Sequence, residues 1–304
     1  MPTVSIATDV FTLFRRKQRH ETLLPYYFFM PAFILVAAIS FLPLGYAVVQ
    51  SLFRSDYLEL GKFVGLGNYY DYLVGQDGLW SVWNSLVYVL ASVAIAVPFG
   101  FACGLVLNRP IPFRGLLRTV LILPWLVSNL VCGLMWLWLV NPQFGIAGYV
   151  FRQLSLALPN MVTNPVAAMA AVVVATGWAQ YPLVMVFMLA ALQTVPQELV
   201  EAAQIDGAST WQRFRHITVP MVRNTLMLAL ILSSLHCFKN VEIILVMTGG
   251  GPNGATETMA LRVFLEGFRF FRMGIGSAGA VMIFLLNLMF TFAFMRVLRS
   301  EHGA

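Results

Sequence analysis

The sequence is poor in charged residues. Only 11% of its 304 residues are Asp, Glu, Lys or Arg, whereas 59% are hydrophobic. An average soluble domain is about 25% charged. A chain of this length could form two soluble domains, but it lacks the charge needed to cover their surfaces. The composition therefore predicts a membrane protein.

Several chemical sites are also absent. The three cysteines, Cys103, Cys132 and Cys237, lie far apart in apolar segments, without the spacing of a disulfide framework or zinc site. His216 has no second histidine at metal-ligand spacing, so no metal site is expected. The motif G-x-x-x-x-G-K-[ST] does not occur, and the single Gly-Lys pair, Gly61-Lys62, lacks the preceding glycine. We therefore do not expect this chain to hydrolyse ATP alone.

Six apolar segments reach the roughly 20 residues that a spanning helix requires. Several contain a proline, which membrane helices tolerate when neighbours satisfy the freed carbonyl group. The first segment begins too late, and is too long, for a cleavable signal peptide. The predicted fold is an all-α membrane protein with a tail over residues 1–24 and a transmembrane domain over residues 25–300. The predicted spans are residues 25–52, 80–108, 117–140, 165–194, 221–247 and 275–298.

The basic residues predict the orientation of these spans. The sequence has 19 Lys and Arg residues against 13 Asp and Glu. Such an excess could indicate a nucleic-acid partner, but in a membrane protein it indicates the enrichment of Lys and Arg in cytoplasmic loops. The side that includes both termini carries about twice as many basic residues as the other, which predicts cytoplasmic termini. That side has Arg15, Arg16, Lys17, Arg19, Arg109, Arg114, Arg118, Arg213, Arg215, Arg223, Arg296 and Arg299, against Arg54, Lys62, Arg152, Arg262, Arg269 and Arg272.

A polar loop, residues 196–220, separates the fourth and fifth spans. Pro196 suits the first turn of a helix, and Gly207 is placed to end that helix in a left-handed cap. Ser209 and Gln212 have the spacing of a capping box that begins a second helix. The loop therefore predicts a cytoplasmic helix-turn-helix that can dock into a partner, with an interfacial helix in the lipid headgroups as the alternative.

The loop also carries a family resemblance. The string V-P-Q-E-L-V-E-A-A-Q-I-D-G-A-S-T-W-Q-R-F-R-H-I-T-V-P, which ends at Pro220, resembles the coupling loop of carbohydrate-type ABC importer permeases, the class of the maltose transporter. Val219 stands where leucine is usual. Phe63–Tyr69, the group Arg114-Gly115 with Arg118 and Pro124, and Thr248–Pro252 resemble further motifs of the class. The likeness covers about residues 25–300 and fits the compact six-span form.

This resemblance implies a permease that performs no chemistry and holds no cofactor. Separate ATPase subunits would bind ATP and Mg, and the coupling loop would sit in a cleft of one of them. Two ATPase subunits, a second homologous permease and an extracytoplasmic solute-binding protein would complete the machine in a bacterial inner membrane, surrounded by lipid. The binding protein would face the loops near residues 53–79, 141–164 and 248–274. The ATPase-coupling residues would be Glu201, Ala202, Ala203, Asp206, Gly207 and Phe214.

Polar residues at membrane depth are costly and indicate a solute pathway. Thr176 and Gln180 share one helical face, and so do Ser233, His236 and Asn240. The resemblance places a sugar or sugar derivative at Thr176, Ala179, Gln180, Ser233, His236, Cys237 and Asn240, to which we add Lys239. His236 and Cys237 stand where the maltose pattern has an aromatic residue and an amide.

Lys239 and Glu242 allow two interpretations. Spaced three apart near the outer end of their span, they can neutralise each other or reach the interface. Alternatively, Lys239 and His236 form a basic surface for an anionic sugar derivative. Among the tryptophans, Trp178 lies closest in sequence to the pathway residues.

Two other functions remain open at this point. A secondary transporter would be polytopic too, but it usually has more spans or an internal repeat, and none is clear here. A membrane-embedded enzyme would need a catalytic pair at depth. Lys239 with Glu242 is the one candidate, and no H-E-x-x-H motif or nucleophile elbow accompanies it.

Overall fold

The structure, a computed structural model, describes residues 5–57, 59–75, 78–157 and 159–300, with side chains described between Phe28 and Arg296. These residues form thirteen α-helices and two π-helical turns, and they contain no extended β-strand, which confirms the predicted all-α fold. The helices are α1 Ser5–Ser51, α2 Gly67–Val74, α3 Gly78–Asn108, α4 Arg114–Leu126, α5 Asn129–Leu139, α6 Ile146–Gln153, α7 Pro165–Leu192, α8 Gln197–Ile205, α9 Thr210–Arg213, α10 Val219–Lys239, α11 Glu242–Met247, α12 Met259–Phe264 and α13 Met273–Ser300. The π-helical turns are Phe214–Thr218 and Leu265–Arg269.

Five of the six predicted spans are helices long and apolar enough to cross a membrane: Phe28–Ser51, Gly78–Asn108, Pro165–Leu192, Thr210–Lys239 and Met273–Arg296. The third is a broken pair, because α4 and α5 meet at an angle of 98°. Pro124 lies near the end of α4, where its ring removes one backbone donor, and Val127 then adopts an extended conformation. The third predicted span, residues 117–140, therefore consists of two helices with a break between them.

Two further boundaries differ from the prediction. The fifth span does not continue to residue 247, because Asn240 is extended, at φ −74° and ψ 119°, and ends α10. Residues beyond it form the separate helix α11. At the other end of the chain, α1 begins at Ser5, so most of the predicted tail is helical. The side chains of its basic residues lie outside the described part.

The central helix is α7, which packs along α3. Gly100 and Gly104 on α3 allow the close approach, since a Cβ atom at Gly100 would lie 2.6 Å from the Tyr181 carbonyl oxygen. At Gly104 it would lie 3.2 Å from the Met188 Cβ. Small residues four positions apart commonly serve this purpose in membrane helices. By contrast, α1 packs mainly on α13, and most of the apolar side chains described on it, from Phe28 onward, are exposed.

A cluster of polar contacts joins the loops at the opposite end from residues 196–220. Buried Arg262 pairs with Glu257 at 3.5 Å and donates to the Gly75 carbonyl oxygen at 2.7 Å. Its guanidinium lies 5.2 Å from the centre of the Tyr72 ring. The Tyr72 hydroxyl donates to the Met259 carbonyl oxygen, and burial raises the pKa of Tyr72, so the phenol stays a neutral donor. The loops near residues 53–79 and 248–274 are thus held as one surface.

The α3–α7 contact generates a stability prediction. Gly100→Ala should destabilise the purified protein by about 1–3 kcal/mol, because the added methyl group has no space against α7. Thermal unfolding in detergent measures the effect. Gly45→Ala is the matched control, since a Cβ atom there meets nothing within 4 Å. Equal unfolding temperatures for the two variants would contradict the packing argument.

Candidate functional site

The predicted helix-turn-helix over residues 196–220 is present in the structure. Pro196 is the N-cap of α8 and not part of its first turn, a difference of one position. Gly207 follows α8 with φ +81°, as its predicted role as a left-handed cap requires. The Ala208 N–H donates to the Ala203 carbonyl oxygen at 2.9 Å and the Gly207 N–H to the Gln204 carbonyl oxygen at 3.1 Å. This is the Schellman arrangement, which closes the end of the helix.

The second helix of the pair, α9, is capped as predicted. The Gln212 N–H donates to the Ser209 hydroxyl oxygen at 3.3 Å, and the Ser209 N–H donates to the Gln212 side-chain oxygen at 2.7 Å. The helix does not stop before the fifth span. It continues through the π-helical turn into α10, giving one helical segment over Thr210–Lys239. The second helix of the pair is therefore continuous with α10.

Side-chain contacts hold α8 and α9 together and against α3. Arg213 donates to the side-chain oxygen of Gln204 at 2.9 Å, which links the two short helices. The Trp211 and Phe214 rings lie 5.5 Å apart, and Phe214 lies 5.8 Å from Phe101 on α3. Phe214 is half-buried in this position. It therefore connects the loop to the spans and does not present its ring outward.

The other candidate coupling residues lie at the surface. Glu201, Ala202, Asp206 and Gly207 are exposed, and Ala203 is half-buried. Ile205, which the sequence reasoning missed, is 87% exposed at the end of α8. Its signal was an isolated large apolar residue in a polar loop.

A second candidate site lies where the third span is broken. A cavity of about 340 Å³ separates the α4–α5 break from α7 and α10. Its described lining contains an indole, two amides, a hydroxyl and an imidazole, but no Asp, Glu, Lys or Arg. The lining residues are Pro124, Trp125, Leu126, Val127, Ser128, Asn129, Ala179, Gln180, Leu183 and His236.

The hydropathy pattern does not reveal the break, so Trp125, Ser128 and Asn129 were not predicted to line the pathway. A proline followed closely by Ser-Asn was the available signal.

The predicted pathway residues divide into two groups. Ala179, Gln180 and His236 line the cavity. Thr176, Ser233, Cys237 and Asn240 are buried between helices instead.

Gln180 belongs to both groups. Its amide nitrogen donates to the Ser233 carbonyl oxygen at 3.1 Å, and its oxygen accepts from the Cys237 thiol at 3.1 Å. Thr176 shares a 2.9 Å hydrogen bond with the Tyr88 hydroxyl on α3. Gln180 therefore ties α7 to α10 while it faces the cavity.

Lys239 does not join this site. It is exposed beside the α10–α11 break and is absent from the described lining of the cavity. Within the described residues it forms no ion pair with Glu242, whose carboxylate accepts from the Val241 N–H at 3.3 Å. Trp178 also lies elsewhere, 5.9 Å from Trp136 in the helix packing. Trp125 is the tryptophan that faces the cavity.

Helix α5, which follows the break in the third span, lies against α11, which follows the end of α10. A Cβ atom at Gly133 on α5 would lie 3.2 Å from the Val246 Cβ and 3.3 Å from the Ile243 Cα on α11. The absence of a side chain at Gly133 therefore lets the helices that follow each break pack closely. The two irregular backbone segments thus belong to one part of the molecule.

The chain resembles known proteins along most of its length. Residues 96–300 match a family described as binding-protein-dependent transport system inner membrane component. The chain is 33% identical to the trehalose/maltose transport system permease protein MalF of Thermococcus litoralis, over 91% of this chain and 94% of that relative. It is 32% identical to the sn-glycerol-3-phosphate transport system permease protein UgpA of Brucella abortus, over 92% and 96%. A bacterial ABC transporter involved in alginate import has the same fold, with a TM-score of 0.80 at 18% identity over 93% of this chain and 98% of that one.

The left-handed turn at Gly207 generates a prediction about the helix-turn-helix. Gly207→Ala should destabilise the turn by about 1–2 kcal/mol, because an L-residue is strained at this φ. Amide hydrogen exchange over residues 197–213 of the purified permease should then accelerate roughly 5- to 30-fold. Gly115→Ala is the control, because a Cβ atom there meets nothing within 4 Å and the backbone does not require glycine. Unchanged exchange in Gly207→Ala would show that the turn is not strained by a side chain.

Proposed function

The chain belongs to the family of binding-protein-dependent transport system inner membrane components, and from this premise we propose that it forms, with a second permease, the pathway for a neutral sugar or sugar derivative. Membership makes it an ABC importer permease and not a secondary transporter, and the relatives that it matches are transport permeases. One observation carries the choice of solute. The cavity at the broken third span joins hydrogen-bonding groups to an aromatic ring, and its described lining contains no Asp, Glu, Lys or Arg, with the His236 imidazole as its titratable group.

The chemistry of the lining favours a neutral, hydroxyl-rich solute. The relatives differ in the charge of the solute in their names, since one is named for trehalose and maltose and another for a phosphorylated glycerol. A phosphate that entered this cavity would lose its hydration, and the described lining has no Lys or Arg to pair with it. Its transfer from water would therefore cost much free energy. Asn129 and Gln180 can instead donate to and accept from hydroxyl groups, and Trp125 offers an apolar face.

The breaks in the third and fifth spans supply a way to open the cavity. A segment outside regular helix can change its φ and ψ angles without distorting the helices on either side. The Ser233 hydroxyl and the Asn240 amide nitrogen are buried without hydrogen-bond partners among the described residues. Because such atoms usually have partners, we expect them to gain one when the α7–α10 contact changes or a solute enters.

Energy would enter at the opposite end of the same helices. We assign α8 and α9 to the cytoplasm, docked on an ATPase subunit through Glu201, Ala202, Ala203, Asp206 and Gly207, with Ile205 as an added apolar contact. Phe214 would transmit movement to α3, and the continuous α9–α10 segment would carry it into the membrane. ATP and Mg would bind to two ATPase subunits, and both termini would be cytoplasmic.

The solute would arrive from the other side. A binding protein, which the family description names, would dock on the loops around residues 53–79, 141–164 and 248–274. Arg262 and its partners Glu257 and Gly75 prearrange two of these loops, so little ordering would be required on docking.

The coupling role predicts that surface changes on α8 release the ATPase. Glu201→Lys reverses a charge at the proposed contact, and Ile205→Asp places a carboxylate in an apolar contact. Each should lower ATPase co-purification and solute-stimulated ATP hydrolysis by at least about tenfold, the factor that corresponds to 1.4 kcal/mol.

Glu59→Lys, an equally exposed charge reversal between the first two spans, should leave co-purification unchanged. Wild-type association and transport in both α8 variants would remove these residues from the interface.

The cavity predicts both the solute class and the residue that contacts it. In liposomes that contain the complete transporter, trehalose or maltose should stimulate ATP hydrolysis, whereas sn-glycerol 3-phosphate should not. Trp125→Ala should reduce uptake of the active sugar by roughly tenfold, as expected for the loss of an aromatic contact worth about 1.4 kcal/mol.

Trp138→Ala is the control, because Trp138 is exposed and lies outside the described lining. Lys239→Gln should transport normally. Stimulation by glycerol 3-phosphate that is lost in Lys239→Gln would instead support the anionic alternative.

A further inference from the structure

A large cleft lies between the end of α3 and the helix-turn-helix. Its volume is about 860 Å³, and residues from the ends of α3 and α7 and from the turn before α10 contribute to its wall. Leu105, Leu192 and Val195 form an apolar part of the wall, whereas Asn108 and Arg109 add polar groups. The cleft is therefore amphipathic, and it lies where three spans end on one side of the membrane.

The formal charges in this cleft are of one sign. Arg109 and Arg213 are its charged lining residues, and no carboxylate accompanies them in the described wall. Arg109 is exposed, and no described side chain pairs with it. Arg213 is held in place by Gln204 and Thr210, at 2.9 and 3.4 Å, while its Nε atom is buried without a hydrogen-bond partner in the described residues. The cleft thus offers two guanidinium groups to an anion.

The cleft also has the features of a membrane–water boundary. Trp211 lies in its wall and is 65% exposed, and tryptophan is enriched where spans meet the headgroups. Glu201 and Ile205, which we assign to the ATPase contact, are not among the lining residues. Docking of the ATPase through those residues therefore does not require that the cleft be filled by protein.

We propose that this cleft binds an anionic phospholipid, with an acyl chain against Leu105, Leu192 and Val195 and the phosphate between Arg109 and Arg213. A phospholipid is the occupant that combines an apolar chain with an anionic headgroup. Basic pockets between spans on the cytoplasmic side bind such headgroups. The inference rests on the cytoplasmic placement of α8 and α9 in the proposed function.

The proposed lipid would have a mechanical role. Its phosphate would join Arg109, which follows the end of α3, to Arg213 on α9. This contact would add to the pair formed by Phe101 and Phe214, which joins the same two elements. The lipid would thus hold the helix-turn-helix against the bundle and limit its movement relative to α3.

Native mass spectrometry of the complete, detergent-purified transporter tests the proposal. The probes are phosphatidylglycerol and phosphatidylcholine with identical acyl chains, each added at the same ratio to protein. The wild-type complex should retain phosphatidylglycerol preferentially. Arg109→Gln should weaken its retention by about fivefold, the effect of one basic side chain near an anionic headgroup.

Arg215→Gln is the matched control, because Arg215 is exposed in the neighbouring π-helical turn but does not line the cleft. Equal retention in Arg109→Gln and wild type would overturn the proposal. Equal retention of the two lipids would also overturn it. The same holds if the lipid binds to the isolated permease but not to the complex, because a protein subunit would then cover the cleft. Lipid retention is measured without any transport assay. A negative result would therefore contradict the lipid site and would not bear on the predictions about the solute and the ATPase contact.

Discussion

Hydrocarbon offers no hydrogen bonds to a peptide group, so an interrupted helix at membrane depth must lie inside protein or beside a cavity. This constraint accounts for the position of the α4–α5 break. The extended Val127 does not face the surroundings as an isolated defect, because the break forms one wall of the cavity lined by Gln180 and His236. The second break, at Asn240, is followed by α11, which packs on α5. The irregular backbone is therefore gathered around the candidate pathway, and the uninterrupted helices α3 and α7 support it.

The helix-turn-helix could be predicted from sequence because its determinants are local. The left-handed cap at Gly207 and the capping box of Ser209 with Gln212 each depend on residues within one helical turn. The cavity could not be predicted in the same way. Hydropathy averages over a window, and the window that contains Pro124 and Ser128 is apolar enough for a continuous span. Only the packing against α7 reveals that Trp125 and Asn129 line the same cavity as Gln180, whereas Trp178, the tryptophan closest in sequence to the pathway residues, lies in helix packing.

The rigidity of the helix-turn-helix does not depend on any single strong contact. The hydrogen bond between Arg213 and Gln204 is exposed to solvent, and such surface contacts contribute little individually. The caps at Gly207 and Ser209 fix the backbone, and the Phe101–Phe214 contact fixes the element to α3. These contributions are independent, since each involves different residues. A small rigid element with an exposed Ile205 can therefore transmit force from a partner without first becoming ordered.

The connection between the two sites follows from the order of the helices. Helix α7 carries Gln180 and leads through residues 193–196 into α8, and α9 continues through the π-helical turn into α10, which carries His236. Both short helices are thus extensions of cavity walls. From Gln180 to Leu192 the helix rises about 18 Å, which is the distance along α7 between the cavity and the end that leads to the helix-turn-helix. Because Gln180 bonds to the Ser233 carbonyl oxygen and the Cys237 thiol, separation of the walls requires that both contacts break. A movement that carries α7 and α10 together would leave both contacts intact. A movement that tilts one relative to the other would break them and change the shape of the cavity.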